Sequence, residues 1–117
     1  MPVETPLTRP LFPRLGAGVG LRPKHHGAAL ESGAALPDFF ELITENVFGA
    51  GGRPREVLEE ARRRRPLALH GVSLSIGSRD PLDERYLERV GALVDRVQPA
   101  IVSDHLCWTS HGGRHAH

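Results

Sequence analysis

Short apolar runs alternate along this chain with longer stretches in which apolar and polar residues are mixed. The clearest runs cover residues 67–72 and 100–107, and a third covers residues 39–43. Runs of this length between turn signals are typical of buried strands. A fourth run, residues 16–21, is rich in glycine, which weakens a strand but permits close packing. The pattern therefore predicts four strands.

Three helices are predicted between these strands. The first is short and covers residues 26–32, with Gly33 placed to stop it. The second begins near Pro54, because a first helical turn accepts proline without losing a hydrogen bond. The third begins with Asp80 as N-cap and Pro81 at the first helical position. Apolar residues recur in this helix at spacings of three and four, as packing on a sheet requires: Leu82, Tyr86, Val90, Leu93, Val94 and Val97.

The alternation of strand and helix predicts an α/β fold with parallel strands and right-handed crossovers. The chain has 117 residues, enough for about four βα units, whereas a closed (β/α)₈ barrel needs roughly 250. We therefore expect the N-terminal half of a TIM barrel. Residues 1–14 are interpreted as an irregular leader and residues 15–117 as a partial barrel domain that is truncated after the fourth strand. The exposed edge of that strand would be a place for self-association.

Composition narrows the range of partners. Fifteen basic and fourteen acidic residues give a net charge of +1, so no nucleic acid and no membrane surface is expected as a partner. The start of the sequence has no apolar stretch long enough for a signal peptide or membrane span. Cys107 is the only cysteine, which fits a reducing compartment, and a cytoplasmic location is expected.

Two histidines occupy similar positions near the ends of the last two strands. His70 and His105 lie near the ends of two apolar runs about one βα unit apart. Residues at the carboxyl ends of barrel strands form the active-site face, so the two imidazoles are predicted to converge on a metal ion. The alternative for each is a hydrogen-bonded core histidine. Asp104 would point to the opposite side of the strand, which favours a structural role.

Further polar residues end the first two strands. Glu45 follows the strand at 39–43, where a carboxylate can be a ligand, a general base, a partner that orients a histidine, or only a turn residue. Asn46 and His25 are further candidates for contact with substrate or with a ligand. His25 and His26 both follow the first strand, and one of them would face the same end of the barrel. No residue is assigned as catalytic.

Other conspicuous features have simpler interpretations. Four arginines at residues 62–65 follow Glu59 and Glu60, so we expect ion pairs on a solvated helix face rather than phosphate contacts. The glycines of residues 49–52 lack the lysine and hydroxyl residue of a phosphate-binding loop. Cys107 lies between Leu106 and Trp108 and is predicted to be buried and unreactive.

Five segments together resemble a known family. They are residues 18–23, the pair Glu45 and Asn46, residues 69–78, residues 80–83 and residues 102–108. In this order and spacing they resemble the TIM-barrel multinuclear non-haem iron oxidases typified by the methanobactin biosynthesis oxidase. The resemblance runs from about residue 16 to the end of the sequence.

The resemblance implies a barrel that holds two or three iron ions and uses dioxygen to oxidise cysteine residues in a ribosomally made precursor peptide. A separate peptide-recognition protein is the implied partner. Carried over by position, His70 and His105 would be iron ligands. Asp104 stands where the family usually has glutamate. The family's later ligand motifs have no counterpart in this sequence, so the iron set is expected to be incomplete or absent in this chain.

Two other interpretations remain open at this point. One is a non-catalytic fragment that at most binds a partner chain. The other is a different metal-dependent TIM-barrel enzyme, an isomerase or an endonuclease, since these also collect histidine and glutamate at strand ends.

Overall fold

The computed structural model describes residues 13–31, 35–49 and 51–116, so most of the expected leader, and Gly33, lie outside the described residues. Four strands form one parallel sheet in the order β1-β2-β3-β4. They are β1 (Gly18–Gly20), β2 (Phe39–Ile43), β3 (Leu67–Gly71) and β4 (Ile101–Asp104). The strands follow each other in chain order with helices between them, which confirms the predicted α/β fold and is consistent with half of a TIM barrel.

The helices between the strands are α1 (His26–Leu30), α2 (Gly52–Arg64) and α3 (Glu84–Val97). Short 3₁₀ turns, Pro23–His25 and Thr44–Val47, follow the first two strands. Over the described residues, no helix combines the length and apolar character needed to cross a membrane.

The core lies between one face of the sheet and helices α2 and α3. Side chains alternate along a strand, so Leu67 and Leu69 face the helices while His70 faces the opposite side of the sheet. Each fully buried aliphatic or aromatic side chain here contributes about 1.5–3 kcal/mol. The cluster comprises Leu21, Phe40, Leu42, Val47, Val57, Leu58, Ala61, Leu67, Leu69, Leu93 and Val97.

The third helix begins later than the sequence pattern predicts. Asp83, not Asp80, is its N-cap, and its carboxylate accepts hydrogen bonds from the backbone N–H groups of Arg85 (3.0 Å) and Tyr86 (3.3 Å). The Asp80 carboxylate instead accepts hydrogen bonds from the backbone N–H groups of Gly112 and Gly113. Leu82 therefore precedes the helix and is exposed, whereas the rest of the predicted apolar stripe follows the expected spacing.

The last strand is shorter than predicted, and a hairpin follows it. Only Ile101–Asp104 pairs in the sheet, because the backbone turns away after His105. Strands β5 (Ser110–His111) and β6 (Arg114–His115) then form an antiparallel pair. The two glycines between them have φ values of +57° and +72°, the left-handed geometry that a tight hairpin turn requires.

The arginine run belongs to the surface of α2, as predicted. Glu60 pairs with both Arg63 and Arg64, and Glu59 lies 3.9 Å from Arg62. The Arg62 guanidinium also donates to the carbonyl oxygen of Val97 (2.8 Å) and so ties α2 to the end of α3. Exposed ion pairs of this kind contribute little stability.

Candidate functional site

The two predicted histidines meet at the carboxyl ends of β3 and β4. Their ring centroids are 4.8 Å apart, and the ring planes are inclined by 56°. His105 directly follows β4, and its backbone N–H donates to the carbonyl oxygen of Gly71 (3.1 Å), which holds the two strand ends together. His70 is half-buried and His105 is exposed. The fold thus brings both imidazoles to one side of the sheet.

Ser103 orients the ring of His70. The two residues are partners in the β3–β4 register, and Nδ1 of His70 lies 2.9 Å from the Ser103 hydroxyl oxygen. That hydroxyl also donates to the carbonyl oxygen of Leu69 at 3.5 Å, so its lone pair is available to accept from Nδ1–H. The inferred tautomer leaves Nε2 of His70 with a free lone pair, the form in which imidazole binds a metal.

The part of the chain that the structure describes shows no metal-binding cluster. Among residues 13–31, 35–49 and 51–116, no cluster of at least three histidine, cysteine or carboxylate groups has the arrangement needed to hold an ion. Two imidazole nitrogens, such as those of His70 and His105, would hold a metal ion only together with ligands from elsewhere.

Glu45 lies at the end of β2 and ties three segments together. One oxygen, Oε1, accepts hydrogen bonds from the backbone N–H groups of Val72 (2.8 Å) and Ser73 (3.0 Å). The same oxygen accepts from the Tyr86 hydroxyl of α3 at 2.5 Å. In this geometry the Glu45 carboxylate fixes the backbone just after His70, a role that the sequence did not indicate.

These contacts shift the ionisation of both side chains. Burial raises the pKa of Glu45, but the hydrogen bonds from Tyr86, Val72 and Ser73 outweigh it, so the net pKa lies below the ordinary value. Burial, followed by the hydrogen bond and charge of Glu45, raises the pKa of Tyr86. At neutral pH the pair therefore consists of a carboxylate and a neutral phenol.

Asp104 completes this group from the opposite side of the strand to His105. Its Oδ2 lies 3.2 Å from the Tyr86 hydroxyl oxygen. The other carboxylate oxygens, Oε2 of Glu45 and Oδ1 of Asp104, are buried and have no hydrogen-bond partner in the described part of the chain. Asp104 and His105 thus lie on opposite sides of the strand, as strand alternation predicts.

The remaining candidates lie apart from the histidine pair. Asn46 and His26 line a cavity of about 440 Å³ with Arg53, above an apolar floor at the ends of β1 and β2. Burial lowers the pKa of His26, and the positive charges of Arg53 and His25 lower it further. His25 is exposed in the preceding 3₁₀ turn and does not line this cavity.

Two residues of the site, Ser103 and Tyr86, were not identified from the sequence. Ser103 precedes His105 by two positions, so strand alternation places both on one face, and this spacing could have indicated it. Tyr86 was assigned to the apolar stripe of α3. Its hydroxyl contacts depend on how α3 packs against the sheet, which the sequence alone does not specify.

Comparison of the sequence with known proteins finds a matching family and several relatives. The family described as RiPP precursor modification enzyme MbnB/TglH/ChrH matches residues 16–117. A UPF0276 protein of Anaeromyxobacter is 57% identical over 103 residues, which cover 88% of this chain and 36% of the relative. A UPF0276 protein of Caulobacter vibrioides is 51% identical over 107 residues, 92% of this chain and 38% of the relative. The chain thus spans little more than a third of the length of these relatives.

Proposed function

The chain belongs to the MbnB/TglH/ChrH family of RiPP precursor modification enzymes, and on this premise we propose that it carries two ligands of an iron site used to oxidise cysteine residues in a ribosomally made precursor peptide. The observation that carries the proposal is the 4.8 Å separation of the His70 and His105 rings at the carboxyl ends of adjacent strands. Active sites of α/β barrels lie on this face. The family assignment favours peptide modification over an isomerase or endonuclease.

The chemistry of the two donors fits iron. Imidazole is a good ligand for iron, and the hydrogen bond from Nδ1 of His70 to Ser103 leaves Nε2 free to bind. His105 is exposed beside it and can supply a second nitrogen. We propose that the remaining ligands come from outside the segment shared with the relatives described above.

When bound, iron would supply the activation of dioxygen, which is the oxidant. Reduction of one dioxygen molecule to two water molecules takes four electrons and four protons, and all of them would come from the cysteine residue, so no further oxidant is required. The chain's own contribution is positioning. Ser103 holds the ring of His70, and the Glu45 carboxylate fixes the backbone at Val72 and Ser73 next to it. A separate protein that recognises the precursor peptide is the partner we propose.

A segment exchange tests this function. Residues 16–117 replace the matching segment of the Anaeromyxobacter relative, and the hybrid is incubated with ferrous ion, dioxygen and a cysteine-containing precursor peptide. We expect loss of cysteine thiols together with dioxygen consumption. The same peptide with serine in place of cysteine should consume none above background.

Variants of the hybrid separate catalysis from folding. His70→Ala and His105→Ala should each lower iron content and thiol oxidation together while leaving the unfolding transition close to that of the parent hybrid. Arg55→Ala, an exposed change on α2 outside the pair, should keep both the iron content and the thiol oxidation. Full activity of the His70→Ala hybrid would contradict the proposed role of the pair.

A further inference from the structure

A second cavity lies close to the histidine pair, on the same carboxyl-terminal side of the sheet. It has a volume of about 250 Å³ and is lined by Gly77, Ser78, Arg79, Trp108 and His111. Trp108 follows His105 by three positions, so the two Cα atoms are within about 11 Å of each other. A cavity of this size accommodates one or two side chains rather than a whole small-molecule cofactor.

The walls of this cavity are held in place by hydrogen bonds between the loop after β3 and the hairpin. The Ser75 hydroxyl oxygen accepts from the backbone N–H of Thr109 (2.8 Å), and the Ser78 hydroxyl donates to the carbonyl oxygen of Ser110 (2.8 Å). The Gly77 N–H donates to the carbonyl oxygen of Cys107 (2.8 Å). Because the two segments are tied together, little order has to be gained when a ligand binds.

Arg79 brings a positive charge to the cavity lining. Arg79 is exposed and makes no ion pair within the described ranges, and His111 faces the same space. The nearby carboxylate of Asp80 accepts from the backbone N–H groups of Gly112 (3.1 Å) and Gly113 (3.3 Å), so it already has partners. Arg114 adds positive charge on the next strand of the hairpin. A guanidinium in this setting is suited to bind a carboxylate.

Apolar side chains are exposed in the two segments that form the cavity walls. Trp108, which lines the cavity, is 60% exposed, and Leu106, two positions before it, is 89% exposed. Ile76 is also exposed on the neighbouring loop. Apolar surface next to an unpaired arginine matches a peptide in which acidic and apolar residues stand side by side.

We propose that this cavity binds an acidic residue of the peptide substrate, with Arg79 holding its carboxylate and Trp108 packing against the adjacent apolar side chain. The inference rests on the proposed function, because that function makes the substrate a peptide. It adds a preference for acidic residues in the part of the peptide that lies beside the histidine pair.

The single tryptophan of the chain provides the test. Trp108 fluorescence is followed while the 117-residue protein is titrated with a short peptide of alternating glutamate and leucine, and with its lysine counterpart. We expect a saturable change with the glutamate peptide only. Arg79→Glu should weaken binding about tenfold or more, because a charged hydrogen bond is replaced by repulsion.

A matched control separates this site from overall charge. Arg55→Glu makes the same charge change at an exposed position on α2 and should leave the affinity for the glutamate peptide unchanged. The proposal is overturned if Arg55→Glu weakens binding as much as Arg79→Glu, if the lysine peptide binds equally well, or if single-stranded RNA competes at lower concentration than the glutamate peptide.

A double comparison keeps the two proposals apart. His70→Ala should leave the affinity for the glutamate peptide unchanged. It should abolish the paramagnetic broadening that ferrous ion causes in the NMR signals of the His105 ring. Arg79→Glu should weaken binding of the glutamate peptide and leave the broadening of the His105 ring signals unchanged. Loss of peptide binding in Arg79→Glu without any effect of His70→Ala on iron would leave the acidic subsite standing and contradict the iron site. The opposite pattern would contradict the subsite alone.

Discussion

Gly71 of β3 stands opposite Asp104 of β4, and a Cβ atom on Gly71 would lie 2.0 Å from Oδ2 of that carboxylate. The same Cβ atom would come within 2.9 Å of the Tyr86 hydroxyl oxygen. Only glycine at position 71 therefore allows the Tyr86 hydroxyl to reach both Glu45 and Asp104. The residue directly after His70 is therefore constrained by the packing of Asp104 and Tyr86 as well as by its place beside the histidine pair.

Replacing Gly71 with alanine should separate Asp104 from Tyr86. We expect Gly71→Ala to lower the free energy of unfolding by roughly 1–3 kcal/mol, because a crowded group must move in a packed region. Urea denaturation measures the change. Gly91→Ala is the control, since its Cβ would meet open space in the middle of α3. That substitution should stabilise the protein by about 1 kcal/mol, because alanine is the better helix former.

The lowered pKa of Glu45 makes stability depend on pH. Its carboxylate stabilises the fold fully at pH values above the ordinary pKa of 4.5, and this contribution is lost as the pH falls through the lower pKa of the folded state. Glu45→Gln should therefore destabilise the protein at neutral pH and lose less stability on acidification. Urea denaturation between about pH 7 and about pH 3 compares the two proteins.

An equivalent change elsewhere tells whether this effect is specific. Glu56→Gln, on the exposed side of α2, removes one carboxylate without touching Tyr86 or the strand ends. It should retain the acid-induced loss of stability seen in the parent protein. If Glu45→Gln and Glu56→Gln show the same pH dependence, the Glu45 contacts do not control it.

Two aspartates near the start of α3 should have different roles. Asp83→Ala removes the N-cap and should cost about 1 kcal/mol of unfolding free energy, with lost helical signal in circular dichroism. Asp80→Ala should leave α3 intact and instead speed amide hydrogen exchange at Gly112 and Gly113. Loss of helical signal in Asp80→Ala, and not in Asp83→Ala, would show that the cap is placed wrongly.

Ser103 should affect metal affinity without being a ligand. Ser103→Ala removes the hydrogen-bond partner of Nδ1 of His70, and we expect roughly 10–100-fold weaker iron binding in the hybrid enzyme. Ser110→Ala is the control, because no hydrogen bond of its hydroxyl is found in the described part of the chain. Equal affinities for the two variants would remove the positioning role of Ser103.

The sequence predicted those parts of the fold that depend on local pattern. The bounds of β2 and the positions of Val57, Leu58 and Ala61 followed from apolar spacing and proline placement. The start of α3 did not, because Asp80 and Asp83 are both suitable N-caps. In the folded chain the backbone N–H groups of Gly112 and Gly113 donate hydrogen bonds to the Asp80 carboxylate, so Asp83 caps the helix instead.

The candidate site was likewise predicted in part. His70 and His105 share a face because Ser103, the register partner of His70, precedes His105 by two positions, and side chains alternate along a strand. The contacts of Tyr86 and the cavity beside Trp108 depend on the packing of α3 and of the hairpin at residues 110–115. Gly112 and Gly113 indicated a turn, but no sequence pattern indicated which segment the hairpin would contact.

The role of the histidine pair is tested most directly by NMR of the chain during anaerobic titration with ferrous ion. Paramagnetic broadening identifies which imidazole rings approach the metal, even when binding is weak. We predict that the ring signals of His70 and His105 broaden first and together, and that His70→Ala abolishes the early broadening of His105. Earlier broadening of His25 or His111, or broadening of His105 that is unchanged in His70→Ala, would contradict the proposed site.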